Sequence, residues 1–402
     1  MTRLHFNYKD IFRSLRLGFS AKKIWMMFMG LLIGFAGYAG LTYLAYLVAG
    51  YDLLTVWETF RLLPFPDAVL YPFPWYAWVM YAVGGLFFVC TSLVAGTAVS
   101  KVTYEQLRGD EFYEAREAYK FALRHVSSVL ASPLLLIGFV ALVVVGGLIL
   151  GLLGMIPYFG ELLTGLMALP AFAASMFIVY LLVVLFFSLL LAPSVVGTTK
   201  NDTFDTIFEV FSCVNEQPGR LVWYLATAAV LAKAGAFLLG LAASAAGRIG
   251  YAVLRLLMGG RMVDLMSNAS FYFKVTLPHW CPEPVRMLLL GCADRMGLHQ
   301  IYTPAAYVSI NWSNDVGAVL LGVCFYVVAL LVCAFGCSVW YSGTTLTYSV
   351  LAKKKDDKNV LELPEDEAEL LEPVVAPEGM KPGEPDADSP TEKPSEPEAK
   401  QS

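Results

Sequence analysis

Charged residues are scarce in this chain. They make up 15% of its 402 residues, where soluble domains carry about a quarter, and long stretches hold almost none. Histidine is scarcer still: there are four, none of them in an apolar run. An intramembrane metalloprotease or serine hydrolase therefore lacks its ligands or its base. The sequence has no Gly-x-Ser-x-Gly elbow, no His-Glu-x-x-His and no Walker-type phosphate loop, which removes the commonest enzymatic signatures. No acidic residue lies well within an apolar run. A proton-coupled transporter relies on such carboxylates, so that class loses its main device. The polar alternation of a half-buried β-sheet is also missing. These absences predict a non-enzymatic chain with no cofactor, no metal and no nucleic-acid partner.

What is present is apolar length. Hydrophobic residues make up 57% of the chain and the mean hydropathy is +0.62. Runs at about 24–48, 75–99, 129–156, 170–194, 221–246 and 316–341 each suffice to cross a hydrocarbon core about 30 Å thick. The fold class predicted is an all-α integral membrane protein of six transmembrane helices, with membrane lipid as its surroundings. The first run, Ile24 to Val48, is longer than the 7–15 residues (about two turns to four) of a signal-peptide core, so it reads as a retained anchor.

Basic residues orient the spans. The leader 1–23 carries six, Arg3, Lys9, Arg13, Arg16, Lys22 and Lys23, and Lys353, Lys354, Lys355 and Lys358 follow the last span. The connection at 49–74 has only Arg61, and that at 157–169 has none. Both termini are therefore placed in the cytoplasm. This gives a basic amphipathic leader (1–23), a membrane domain (24–352) with a long outer loop (247–315), and a cytoplasmic tail (353–402). Residues 362–402 carry 13 acidic and 3 basic side chains and eight prolines. Such a segment cannot bury enough apolar surface to offset its chain entropy, and disorder is expected.

A pattern recurs three times. Asp10-Ile-Phe12 is followed seven residues later by Phe19, Asp110-Glu-Phe112 by Tyr119, and Asp202-Thr-Phe204 by Phe211. Each copy precedes an odd-numbered span, at intervals of 100 and 92 residues. The reading is an internal repeat of an amphipathic helix followed by a transmembrane hairpin. Phe112, Ala115, Tyr119, Ala122 and Val126 share one helical face, as do Phe204, Ile207, Phe208, Phe211 and Val214. Asp110 and Asp202 are expected to start their helices by accepting orphan backbone donors.

Four further features are candidates. Gly30 and Gly34 in span one, and Gly147 and Gly151 in span three, have the four-residue spacing that lets helices approach closely, which places both spans inside the bundle. Lys233 is the one clear charge near the middle of a span and is a candidate cavity contact. Cys281 and Cys292 are the only cysteines of the 247–315 loop and a candidate disulfide if that loop faces an oxidising compartment. With His279 and His299 they match no standard zinc spacing.

The run Asn201-Asp-Thr-Phe-Asp-Thr-Ile-Phe-Glu-Val-Phe211, then Pro218-Gly-Arg-Leu-Val-Trp-Tyr224, resembles an element of uncharacterised bacterial polytopic membrane proteins, as does Thr345-Leu-Thr-Tyr-Ser-Val-Leu351 before Lys353–Lys355 and two aspartates. The resemblance covers about two thirds of the chain. It implies a bacterial inner-membrane protein and carries no activity to transfer. Two functions stay open: a scaffold or assembly partner whose cytoplasmic helices and tail contact another protein, or a transporter subunit for a neutral or hydrophobic solute, for which repeats are also a signature.

Overall fold

The computed structural model describes residues 6–61, 63–67, 70–272, 283, 287, 307, 308, 311–356 and 361. Contacts divide the chain into 1–361 and 362–402, and the second part lies outside the described residues, as do Cys281 and Cys292. Every regular element among the described residues is a helix. In chain order they are α1 (Tyr8–Ile11), α2 (Arg13–Gly18), α3 (Ala21–Val48), α4 (Leu53–Phe60), α5 (Trp75–Arg108), α6 (Ala115–Arg124), α7 (Val126–Gly154), α8 (Phe159–Leu166), α9 (Ala168–Thr199), α10 (Thr203–Glu216), α11 (Pro218–Met258), α12 (Gly260–Tyr272) and α13 (Trp312–Asp356). Six of them, α3, α5, α7, α9, α11 and α13, are long and apolar enough to cross a membrane.

Each expected apolar run falls on one of these helices, the third running two residues past the end of α7. The helices are longer than the runs because nothing in the flanking sequence stops them. α11 continues from the apolar run through 247–258 and stops where Gly259 adopts φ +57°. The interval 247–315 is therefore not loop throughout. α5 persists to Arg108 and ends at Gly109, whose φ of +112° is the left-handed terminator that lacks a side-chain penalty. At about 1.5 Å per residue, α11 and α13 are roughly 60 Å and 70 Å long, twice the hydrocarbon thickness.

Consecutive long helices form antiparallel hairpins. We call the end where α3 begins the near end and the opposite one the far end. α3 and α5 make the closest pair: a side chain at Gly30 would overlap Ala95, one at Gly34 would overlap Thr91, and one at Gly37 the ring of Phe87. The same spacing on α7 has the opposite result. Nothing lies within 4 Å of where a side chain would project from Gly138, Gly146, Gly147 or Gly151. Among the described residues Gly147 and Gly151 thus pack against nothing, and span three does not sit inside the bundle. Only 6% of the most apolar stretch of α7 is buried, against 39% for α5. The physical reason is that α7 meets its neighbours through its first turns, at Val129, Ser132, Pro133 and Leu136, which are buried. Small residues permit close approach but do not compel it.

The core lies at the near end, where the second helices of the three hairpins, α5, α9 and α13, run parallel and touch one another. Their buried stretches coincide there: Ala95–Thr103 on α5, Leu191–Thr198 on α9, and Ser342 and Thr344–Ala352 on α13. The far end is secured separately by a cluster in which Tyr46 packs against Phe60, Tyr71 and Phe73, its hydroxyl donating to Phe65 O at 2.6 Å.

Gly34→Leu is expected to lower bundle stability by about 1–3 kcal/mol or more through overpacking against α5, whereas Gly147→Leu changes it by less than about 0.5 kcal/mol. Thermal or denaturant unfolding in the same detergent compares the two. Equal losses would mean that α7 packs as closely as α3.

Candidate functional site

The near-end core is polar. α5 contributes Ser100-Lys-Val-Thr-Tyr-Glu-Gln-Leu107 and α13 contributes Thr344-Thr-Leu-Thr-Tyr-Ser-Val-Leu351, two copies of Ser/Thr-x-x-Thr-Tyr-x-x-Leu. α9 contributes Ser194 and Thr198. Ser194 Oγ lies 3.3 Å from Ser100 Oγ and 2.6 Å from Thr344 Oγ1, so one hydroxyl joins all three helices. Thr103 Oγ1 and Ser342 Oγ add a second link at 3.2 Å. All five residues are fully buried. Small side chains make the approach possible: a β-carbon on Gly197 would sit 2.9 Å from that of Ser100, and one on Gly343 would sit 2.8 Å from that of Ala228. Several hydroxyls also bond back to their own helix, such as Thr198 to Ser194 O at 2.8 Å and Thr345 to Tyr341 O at 2.7 Å. The hydroxyls of Ser14, Ser188 and Thr347 are buried with no hydrogen-bond partner.

Beneath this seam lies a rim of ion pairs. Lys101 Nζ meets Glu105 Oε1 at 2.6 Å and lies 4.9 Å from the ring centres of both Tyr104 and Phe121. On α13 the equivalent tyrosine, Tyr348, donates to Glu209 Oε1 at 2.9 Å, and Lys355 pairs with Glu209 Oε2 at 3.3 Å. Lys23 is fully buried, and its ammonium donates to Leu17 O at 3.0 Å. That carbonyl belongs to the last turn of α2, where a cation meets the negative end of the helix dipole.

The motif residues dock the short helices under this core. Asp10 lies inside α1, where its carboxylate accepts from Asn7 N at 3.3 Å and pairs with Arg13 at 3.5 Å. Phe12 and Phe19 are exposed, Phe19 meeting Phe335 edge-on. Asp202 occupies the N-cap of α10 but its carboxylate makes no capping hydrogen bond, against expectation, and Asp110 does not start a helix: α6 begins after Glu114. Asp110 instead accepts from Phe112 N at 3.0 Å, a local side-chain turn that follows the Gly109 stop and competes with helix initiation. Phe112 and Phe204 are exposed, Tyr119 donates to Met26 O, and Phe211 stacks near Tyr180. Burial pushes the Tyr119 phenol up to about 12, which keeps it a donor at neutral pH, and burial likewise raises Tyr113.

Lys233 does not face the interior. Its side chain is exposed on α11, away from the hydroxyl seam. Among the described residues no group of three or more His, Cys, Asp or Glu is placed to hold a metal.

One polar site was missed in the sequence. Arg61 follows α4 at the far end with φ +54° and is 7% exposed. A left-handed non-glycine residue costs on the order of 1–3 kcal/mol and persists only when its surroundings over-determine it. Here Tyr43 donates to its carbonyl, and its guanidinium lies 5.1 Å from the Phe271 ring and 5.7 Å from the Tyr272 ring. The available signal was a lone arginine in an otherwise aromatic connection. Nearby, Asn268 ties α12 to the start of α13, donating to Val308 O and Asn314 Oδ1 and accepting from Val308 N, all at 2.8 Å. Tyr307 donates to Asp315 at 3.0 Å, and this bond is the main reason its phenol is held up at about 12.

Comparison with protein families, with curated proteins and with solved structures finds no match for this chain.

A double-mutant cycle of Ser194→Ala and Thr344→Val, read by denaturant unfolding, is expected to give a coupling of about 0.5–1.5 kcal/mol, the range for hydroxyl bonds between membrane helices. A coupling of zero would reduce the 2.6 Å contact to packing alone.

Proposed function

We propose that this chain is a non-enzymatic membrane scaffold, built from three parallel units of short amphipathic helix and hairpin, with both termini in the cytoplasm of a bacterial inner membrane. The units are α1–α5, α6–α9 and α10–α13, related by a pseudo-threefold rotation about the membrane normal. Support for the rotation comes from how the short helices pack. α6 rests on α5 and α10 on α9, in each case on the last helix of the unit before. Those neighbours are adjacent in sequence, so their contact alone says little. The short helix of the first unit, α2, rests on α13, the last helix of the third unit. Gly18 sits against Val339 and accepts from Ser338 Oγ at 2.9 Å, across 320 residues of sequence. A ring of three units requires that closure.

The observation that carries the scaffold reading is the filled axis. At the near end, the place where a threefold transporter would keep a path is occupied by Ser100, Ser194 and Thr344 in direct contact. The exposed position of Lys233 weighs against the transport alternative as well. On the scaffold reading, the basic near end meets the lipid surface and the acidic segment 362–402, with its net charge of −10, contacts a protein partner.

The test is mass spectrometry of what co-purifies in native lipid particles with the full chain and with residues 1–361. We expect at least one stoichiometric protein with the full chain, lost on truncation while the bundle stays folded. A chain that arrives alone with one small solute enriched, and whose uptake of that solute is abolished in Lys233→Ala, would move the assignment to transport.

A further inference from the structure

At the far end, Glu58, Arg61, Phe271, Tyr272 and Tyr307 line an open pocket of about 420 Å³. It adjoins a smaller recess of about 280 Å³ formed by Tyr272, Asp315, Val316, Val319 and Leu320. Tyr272 borders both, and the Tyr307–Asp315 hydrogen bond of 3.0 Å spans the junction. The first pocket is polar and aromatic, and the wall of the second is apolar.

Two opposite charges line the first pocket. Among the described residues the Arg61 guanidinium makes no hydrogen bond and no ion pair, and Glu58, on the last turn of α4, makes none either. They do not pair with each other, because Arg61 leaves α4 at φ +54° and so does not continue the face that carries Glu58. A guanidinium 7% exposed and lacking a counterion is unfavourable, because desolvation is not offset. The Phe271 and Tyr272 rings lie over it, which leaves its in-plane N–H groups as the free contact surface. That planar fork suits a phosphate bound through two oxygens. Glu58 and the Tyr307 ring, which line the same pocket, suit an ammonium group. One ligand that satisfies both is a zwitterion carrying phosphate and a primary amine.

The apolar recess adds a third requirement. Val316, Val319 and Leu320 share one face of α13 and are each exposed, forming a strip that runs from the pocket along a membrane-spanning helix. The surrounding surface marks the depth. Trp57, Trp75, Trp78 and Trp312 are all exposed at this end, and such a belt sits at the level of lipid headgroups.

We propose that this pocket binds a phosphoethanolamine lipid, with its phosphate on the Arg61 guanidinium, its ammonium toward Glu58, and an acyl chain against Val316, Val319 and Leu320. The site lies at the far end and is independent of the scaffold reading, which rests on the near-end core and the 362–402 segment.

The experiment uses the full chain, stripped of lipid in detergent and returned to nanodiscs of equal phosphatidylethanolamine, phosphatidylcholine and phosphatidylglycerol. Lipid retained on re-extraction is counted by native mass spectrometry. Phosphatidylethanolamine is expected to be enriched about fivefold over either competitor, the scale of one charge-assisted pair, and Arg61→Gln is expected to abolish the enrichment. Glu58 is exposed, so Glu58→Lys keeps the fold and should transfer the preference to phosphatidylglycerol. No enrichment in the native chain, or enrichment unchanged in Arg61→Gln, would overturn the proposal. A native preference for phosphatidylglycerol, or a Glu58→Lys chain that still selects phosphatidylethanolamine, would overturn the zwitterionic assignment.

Discussion

Where α5, α9 and α13 meet, the chain places a serine on each of two helices and a threonine on the third, and the rest of the bundle is arranged around that meeting. In hydrocarbon there is no water to drive apolar faces together, so helices associate through close packing and polar contacts. The Ser194 hydroxyl answers both needs, small enough for three backbones to converge and polar enough to link Ser100 and Thr344. The hairpins then differ in how far their first helices follow. α3 is drawn in along its glycines, while α7 touches only through its first turns. The bundle is dense at one end and open along much of its length.

That asymmetry bears on function. A protein meant to pass a solute along its axis would keep small polar groups apart, with water between them. This one brings them into contact, and reinforces the closure with lysine–glutamate pairs beneath Tyr104 and Tyr348. Arg61 and Glu58, both lining one pocket, lie on the opposite end.

The helices were legible because apolar length is additive and needs no knowledge of neighbours. Their ends were not, since α11 and α13 continue past the apolar run, α11 until Gly259 stops it. Glycine spacing read correctly at Gly30 and Gly34 and misled at Gly147 and Gly151, because spacing states what a surface allows and only a partner decides its use. Asp110 misled for a related reason: a carboxylate can cap a helix or close its own turn, and the preceding Gly109 selects the turn. The hydroxyl seam went unseen because serines and threonines scattered in an apolar run look like ordinary composition. Its trace was the repeated Ser/Thr-x-x-Thr-Tyr-x-x-Leu at 100–107 and 344–351.

The contact of Gly18 with Ser338 and Val339 also sets an order of assembly. The first short helix leaves the ribosome some 320 residues before the surface it rests on. At the 5–20 residues per second or so of synthesis, that interval is tens of seconds. During it the α3–α5 contact can form, while α2 meets α11 at Leu15 and Gly235 but still lacks its larger surface on α13. The helix made last is thus the one that completes the seat of the first short helix and adds the third member to the α5–α9 contact.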